Sequence, residues 1–533
     1  MTQLNWQTEQ DLRALLCELV SWKSMSRTDG ERDFPYKAHA KLQHIPYFQE
    51  HPEHLALVDA DHHRKLLTAL YKHENATKTI VLISHFDTVN TEEYGDLEAL
   101  AFEPEMLTQA LLERTEELPE DARRDLLSGD YLFGRGTMDM KMGLALHMQL
   151  IEKAAAEKWP INLVLLTVPD EEVSSVGMRE AVPHLITLKE KHQLDYFLFL
   201  NGEPVFAQEP GDKKTYIYSG TIGKIMPSAL VYGMETHVGE PLSGVTANYF
   251  ASFLTKEMEF TDQFREAFEE EQTPIPVSLM QKDLKMEYSV QTPYRAALMW
   301  NVFTFKQNAG DIMQTFEKVA NVAAKEANEH YTRICARENV APVGKLEVIR
   351  YEKLVEYAKD KFGEAAVTRM VEDVCRYAEG DDRDKSFKIV DKLMIECQEL
   401  APAYVIFYAP PYYPAVNSSD EAVIQDATAF IQQEAKEAFD LTVNRIHYFN
   451  GICDLSYVNY ADTRGGWEHF ENNTPVWNLS YTIPFKEMAQ LQAPVFNVGP
   501  FGKDPHKRTE RLHINSAFVE TPYLLEKLIR NWC

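Results

Sequence analysis

Apolar residues recur along the first third of the chain in two rhythms. Leu12, Leu15, Leu16 and Leu19 stand at helical spacing and predict a helix over 8–23. In "TIVLISHFDTV" (79–89), "INLVLLTVPDEE" (161–172) and "DYFLFLNGEP" (195–204) the apolar run is instead nearly continuous. Runs that do not alternate predict strands covered on both faces, as in a parallel sheet. Between them, "GLALHMQLIEKAAAEK" (143–158) has the length and Ala/Leu content of a crossover helix. The alternation predicts an α/β fold: a mostly parallel sheet with helices on both faces and ligands at the strands' C-terminal ends.

Near residue 214 the rhythm changes. "KTYIYSGTIGKIMPSALVYG" alternates like an antiparallel strand, followed by a helix around 246–259. "KMEYSVQT" and "RAALMWNVFTF" come next as strands, then a long helix over 311–330. This order predicts a smaller α/β domain over 214–415, with a helical insertion about 335–400 and "AYVIFYAPPYYPAV" as its last strand. Helix and strand return from 419, so the first domain is expected to comprise 1–213 and 416–533.

Charge and cysteine usage narrow the function classes. The formal net charge is −28, which argues against nucleic acid or an anionic membrane surface as partner, since both need a basic footprint. The six cysteines form no C-x-x-C pair, so neither a disulfide framework nor a Cys-rich zinc site is expected. No apolar run approaches a bilayer span, and the N-terminal segment lacks a basic stretch followed by an apolar one. A cytoplasmic protein acting on a small molecule is the expectation.

His85 and Asp87 lie two apart where a buried strand is expected to end. Alone, the pair reads as a polar strand end meeting solvent. Four further stretches fall at expected strand ends or adjacent loops: "GRGTMDMKMG" (134–143), "VPDEEVSSVGM" (168–178), "NGEP" (201–204) and "GPFGKDPHKRTERL" (499–512). Each alone is a turn, an acidic helix start or a charged loop. Together they offer His and carboxylate without thiolate, a donor set suited to zinc and related divalent ions, often in pairs.

The ordered set "HFDTV", "GRGTMDMK", "DEEVSSVG", "NGEP" and "HKRTE" resembles the co-catalytic zinc aminoacylase and carboxypeptidase family, which includes acetylornithine deacetylase and succinyl-diaminopimelate desuccinylase. The likeness is good over 75–255 and 440–533 and poor between; length and the "GKDPHKRTER" ending are most similar to the RocB-type arginine-utilisation branch. The resemblance implies a zinc-peptidase-type catalytic domain with an inserted lid and two divalent ions, zinc first, with cobalt or manganese as substitutes. His85, Asp139, Glu172, Glu203 and His506 would be the metal ligands, Asp139 bridging both ions. Glu171 would be the general base. Asp87, expected on the same side of a strand as His85, would accept the His85 ring N–H and fix its tautomer. His237, in "GKIMPSALVYGMETH", would stabilise the tetrahedral oxyanion, by domain closure or across a homodimer. His506 is preferred over His513 because an acid, Glu510, follows four residues later. The Asp139–Met140 peptide bond is expected to be cis.

The implied activity is amide hydrolysis, by a deacylase or peptidase, in arginine degradation. The alternative is a non-catalytic metabolite-binding protein of the same fold, whose usual sign would be a missing ligand or base. A two-metal phosphoesterase would want basic groups to clamp phosphate, and none accompanies these motifs. The family's acid-x-Arg pattern and carboxylate-clamping Arg have no counterpart in "NVFTF" or "FYAPPYYP". Tyr404, Tyr408, Tyr412 and Tyr413 read either as an aromatic lining for a cationic substrate or as core and hinge packing.

Overall fold

The computed structural model describes residues 4–61, 63–209, 212, 214–462 and 464–533. The chain forms two compact units. The first comprises the residues up to Thr221, Val416–Tyr460 and Pro484–Cys533; the second is Ile222–Ala415 with Ala461–Ile483.

The first unit is built on an eight-stranded sheet in the order Leu55–Asp59, Lys65–Tyr71, Asn162–Val168, Lys78–His85, Asp195–Asn201, Val495–Asn497, Thr215–Tyr218, Val443–Ile446. Its centre is parallel, and the edge beginning at Leu55 is antiparallel. Both faces are covered, as the continuous apolar runs demand. Leu82, Leu165 and Leu200 on one face and Val81, Val164 and Phe199 on the other are all fully buried. The first face packs on Leu12, Leu15, Leu16 and Leu19 of the helix Glu9–Ser21 and on Leu144 and Met148 of Met142–Glu157. Thr8 and Asp11 close a capping box that starts the first of these helices.

The three central parallel strands end in register at one edge of the sheet. His85 closes its strand, Glu171 and Glu172 follow the strand ending at Val168, and Glu203 follows the one ending at Asn201. The strand expected over 79–89 thus stops at His85, and Asp87 lies beyond it.

The second unit carries a five-stranded sheet, Val277–Asp283, Arg295–Thr304, Gly223–Tyr232, Ala403–Tyr413 and Glu347–Arg350. The helices Ala247–Met258 and Ala309–Arg337 pack against it. "KTYIYSGTIGKIMPSALVYG" is not one strand: Thr215–Tyr218 joins the large sheet beside Val443–Ile446, and Gly223–Tyr232 joins the small one. The two halves have different partners, so the change of unit falls at 222 rather than 214. "KMEYSVQT" forms no strand; the edge strand is the preceding Val277–Asp283. Within 335–400 lie the helices Tyr351–Phe362, Glu364–Tyr377 and Asp382–Glu396 and the parallel edge strand Glu347–Arg350.

Tyr404, Tyr408, Tyr412 and Tyr413 are all buried. The Tyr404 hydroxyl donates to the Phe250 carbonyl at 2.6 Å and that of Tyr408 to the Ala309 carbonyl at 2.5 Å. These rings pack the core of the second unit, and the substrate-pocket reading of them falls. All six cysteines are free. Among the described residues, no helix is long and apolar enough to cross a membrane.

Candidate metal centre

The site begins at the buried end of the His85 strand. The His85 Nδ1–H donates to the backbone carbonyl of Asp87 at 3.0 Å, which turns Nε2 toward Asp139 Oδ1, 3.2 Å away. The ring's tautomer is therefore set mainly by the Asp87 carbonyl; the nearer carboxylate oxygen is 3.5 Å off. The Asp87 carboxylate has other partners. It accepts the backbone N–H groups of Glu171 at 3.0 Å and Glu172 at 3.3 Å, and the Ser26 hydroxyl at 2.7 Å. The sequence expectation placed Asp87 on the strand; the strand stops at His85, four residues short of 89, and the Asp87 carboxylate beyond it takes these amide and hydroxyl partners.

Asp139 is presented by a turn. Gly136 adopts a left-handed conformation (φ +74°), and its N–H donates to Glu510 at 2.7 Å. Arg135, also buried, pairs with Glu510 and Glu93. The acid four residues after His506 therefore anchors the loop that carries Asp139. The Asp139–Met140 bond is cis. At Gly143, near the start of the following helix, a β-carbon would lie 2.3 Å from the Gly202 carbonyl oxygen. Only a glycine lets the helix start approach the strand end that bears Glu203.

His506 sits in the loop between the paired segments Gly502–Lys503 and Arg511–His513, with φ +64°. A β-carbon disfavours that conformation by roughly 1–2 kcal/mol. Asp504 closes the loop by accepting from Thr509 at 2.8 Å and Arg511 at 2.5 Å. His506 Nε2 lies 3.1 Å from Asp139 Oδ2 and 3.0 Å from Glu172 Oε2.

Two three-residue clusters result, His85–Asp139–Glu203 and Asp139–Glu172–His506, each with its donor atoms within 4.8 Å of one another. Asp139 belongs to both and turns one oxygen toward each imidazole. Ligands of one tetrahedral zinc, with bonds of about 2.0–2.1 Å, stand roughly 3.3 Å apart. The spacing and the all-nitrogen, all-oxygen donor set fit two such ions. Glu171 is buried beside them, with Oε2 3.8 Å from His85 Nε2.

The electrostatics point the same way. Burial pushes Glu171 and Glu203 well above the usual carboxylate range against the pull of His85, with crowding by Glu203 and Asp454 on Glu171 and by Asp139 and Asp454 on Glu203. Glu172 is raised by burial and by Asp139. Burial works against ionised Asp139 too, but the two imidazoles outweigh it and hold that carboxyl below its ordinary value. Burial likewise opposes a charged His506, yet Asp139 and Glu172 push its pKa up to about 11. So many buried carboxylates around two imidazoles call for added positive charge.

Sequence reasoning missed Asp454. It is buried, its pKa is pushed up to about 7 chiefly by burial, and its charge is felt by both Glu171 and Glu203. It lies in "GICDLSYV", without a strand end to mark it; an acid amid an apolar run was the available signal. His513 is half-buried and not part of either cluster: its Nδ1 accepts the Ser516 N–H at 3.2 Å. His237 is an exposed residue of the second unit, and its Nδ1 accepts the Gly239 N–H at 3.0 Å.

Residues 81–462 match the family described as Peptidase family M20/M25/M40. The chain is 41% identical to the uncharacterized protein YqjN of Bacillus subtilis (strain 168), over 98% of its own length and 96% of that protein's. It is 30% identical to protein RocB of the same organism over 97% and 94% of the two lengths. Among solved structures it resembles the M20 family metallo-carboxypeptidase Sso-CP2 from Sulfolobus solfataricus, with a TM-score of 0.56 and 12% identity over 97% and 98% of the chains. The chain therefore belongs to the M20/M25/M40 peptidase family, a family of hydrolases.

Proposed function

We propose that the protein hydrolyses an amide bond with two bound zinc ions, one held by His85, Asp139 and Glu203 and the other by Asp139, Glu172 and His506. The observation that carries this reading is the shared Asp139, with its two oxygens 3.2 Å from His85 and 3.1 Å from His506. When bound, the ions supply charge that polarises the scissile carbonyl and lowers the pKa of water. Glu171 is the general base: it takes the proton of the attacking water and returns it to the leaving amine. Its backbone N–H is fixed by Asp87, so Asp87 positions the base and its neighbour Glu172 together. His237 of the second unit donates to the oxyanion, delivered by closure of that unit as a lid or by a second copy of the chain. The full set of candidate ligands and the base favours an enzyme over a binding protein of the same fold.

The substrate we propose is an N-acylated or peptide-linked basic amino acid, used in arginine degradation in the cytoplasm. This rests on the resemblance to the RocB-type branch and on the absence of the carboxylate-clamp pattern. Glu171→Gln should keep the wild-type metal content and lower kcat by about 10³-fold or more, as loss of a base or nucleophile partner does. Near-normal turnover in that variant removes Glu171 from its role. Amine release from N-acetyl-arginine and arginyl dipeptides, compared with glutamate and leucine counterparts, tests the substrate. A preference for acidic or aliphatic side chains leaves the hydrolase and removes arginine.

A further inference from the structure

The first unit holds another cluster of nitrogen and oxygen donors, at the opposite edge of its sheet. "HPEH" (51–54) joins the short helix Pro46–Glu50 to the edge strand Leu55–Asp59. His51 Nδ1 lies 3.6 Å from Glu53 Oε1, and His54 Nε2 lies 3.8 Å from the same oxygen. The donor atoms of the three residues all fall within 4.8 Å of one another. The place is remote from the His85 cluster by topology. Tyr47, which braces His54, bonds to Lys72, next to Tyr71. Tyr71 pairs with Leu163 at the start of the strand whose far end leads to Glu171.

We propose that His51, Glu53 and His54 form a separate metal site that takes one divalent cation of the zinc class, with water completing its shell. Two imidazole nitrogens and one carboxylate oxygen are a zinc donor set, and the observed spacings need only small side-chain shifts to reach the roughly 3.3 Å between ligands of one ion. The His54 ring is already held for this. Its Nδ1 lies 2.9 Å from the Tyr47 hydroxyl, which also accepts the Lys72 N–H at 2.9 Å and can donate to the Lys72 carbonyl at 3.3 Å. In that arrangement Nδ1 carries the proton and donates to Tyr47, leaving the Nε2 lone pair facing Glu53 and His51. A ligating histidine is usually oriented by such a bond from its other nitrogen.

His54 is largely buried, while His51 and Glu53 keep 44% and 55% of their side-chain surface open, so an ion can enter from solvent. His51 stacks on His54 with ring centroids 5.3 Å apart, and His192 meets His54 edge-on at 4.9 Å. Among the described residues, the buried Nε2 of His192 has no hydrogen-bond partner. Burial and His192 push the pKa of His54 down to about 4, so this ring is a neutral donor at physiological pH. Since His192 ends the helix Val176–His192, an ion here would brace the edge hairpin beside that helix.

The test is the metal content of metal-stripped protein after equilibrium dialysis against zinc in excess of the three ions per chain that the two active-site clusters and this site would take. His51→Ala and Glu53→Gln alter exposed side chains and leave the packed His54 in place; each should bind about one zinc fewer per chain than the wild type, with amide hydrolysis unchanged. Equal zinc content in the three proteins overturns the site. A zinc-soaked crystal supplies a second reading, independent of the active-site assignment. Anomalous density at the zinc edge between His51 Nδ1 and His54 Nε2 is expected, and its absence there overturns the proposal.

Discussion

The two halves of the candidate centre are made of the same chemistry and held in opposite ways. His85 has 1% of its side-chain surface exposed, ends a strand in the middle of the sheet and has its ring nitrogen tied to the Asp87 carbonyl. His506 has 50% exposed and rides on a hairpin loop in a left-handed conformation. The inner half is thus shaped by the fold of the whole unit, whereas the outer half depends on local loop contacts through Asp504 and Glu510. Asp139 joins them. Rigidity on one side and access on the other suit a site that must keep its geometry while substrate and product pass.

Removing each imidazole in turn should give the largest contrast. In metal-free protein, His85→Ala should cost about 3–5 kcal/mol, because it strips a buried partner from Asp139, Glu171 and Glu203. His506→Ala, half in solvent, should cost about 1 kcal/mol or less. Both should lose turnover and about one metal ion each. Equal melting temperatures for the two variants would erase the comparison. His513→Ala should change neither stability nor metal content greatly; loss of metal there would show that the wrong histidine had been chosen.

Acid should act next, and on the inner half. His147 is fully buried beneath Gly202, and neither ring nitrogen has a hydrogen-bond partner among the described residues. Burial pushes its pKa down to about 3. An unfolded chain binds this proton near pH 6.5 and the folded chain does not, so between about 6.5 and 3 the unfolded state holds more protons. Stability from this residue is therefore full above that window and falls as pH drops through it, by about 2 kcal/mol between pH 7 and pH 5. His147→Leu should flatten the pH–stability profile over this range. An unaltered slope removes His147 as the cause.

Chelation should show the smallest effect. Of the two proposed ions, that of the outer cluster should leave first, and that of the inner cluster about tenfold more slowly or less readily, the scale on which supporting hydrogen bonds tune metal affinity. In His506→Ala only the slow phase should remain. A single phase for wild-type protein would mean that burial does not separate the two halves.

How much of this was legible in the sequence depended on where each residue gets its partners. The central strands announced themselves because both of their faces are buried, and the acids at their ends were visible as breaks in apolar runs. Of the ligand candidates, His85, Glu172 and Glu203 converge because parallel strands end at one edge, which the alternation of elements already implied; Asp139 and His506 are brought to that edge by a turn and a hairpin loop. Asp87 was expected on the strand and lies two residues beyond its end, so its carboxylate takes the Glu171 and Glu172 amides while standing 3.5 Å from the His85 ring. The segment 215–232 misled because an unbroken alternating pattern does not say that its two halves pair with different sheets. Asp454 and the tyrosines of the Ala403–Tyr413 strand were decided by tertiary burial, which no local pattern records.

The grip of the Asp87 carboxylate on two successive amides has a further consequence. Between Asp87 and Glu171 the chain makes a long excursion through the helices Pro104–Leu112, Glu120–Ser128 and Met142–Glu157. Yet Glu171, the proposed base, and the adjacent ligand candidate take their position from a residue two steps past His85, and not from the length of that path. Errors accumulated along the excursion are cancelled at its end, because both ends are measured from the same datum. Loops within 92–130 that spare Glu93, Asp121 and Asp125, which pair with Arg135 and Arg511, can lengthen or shorten while the distance from the His85 imidazole to Glu171 stays fixed.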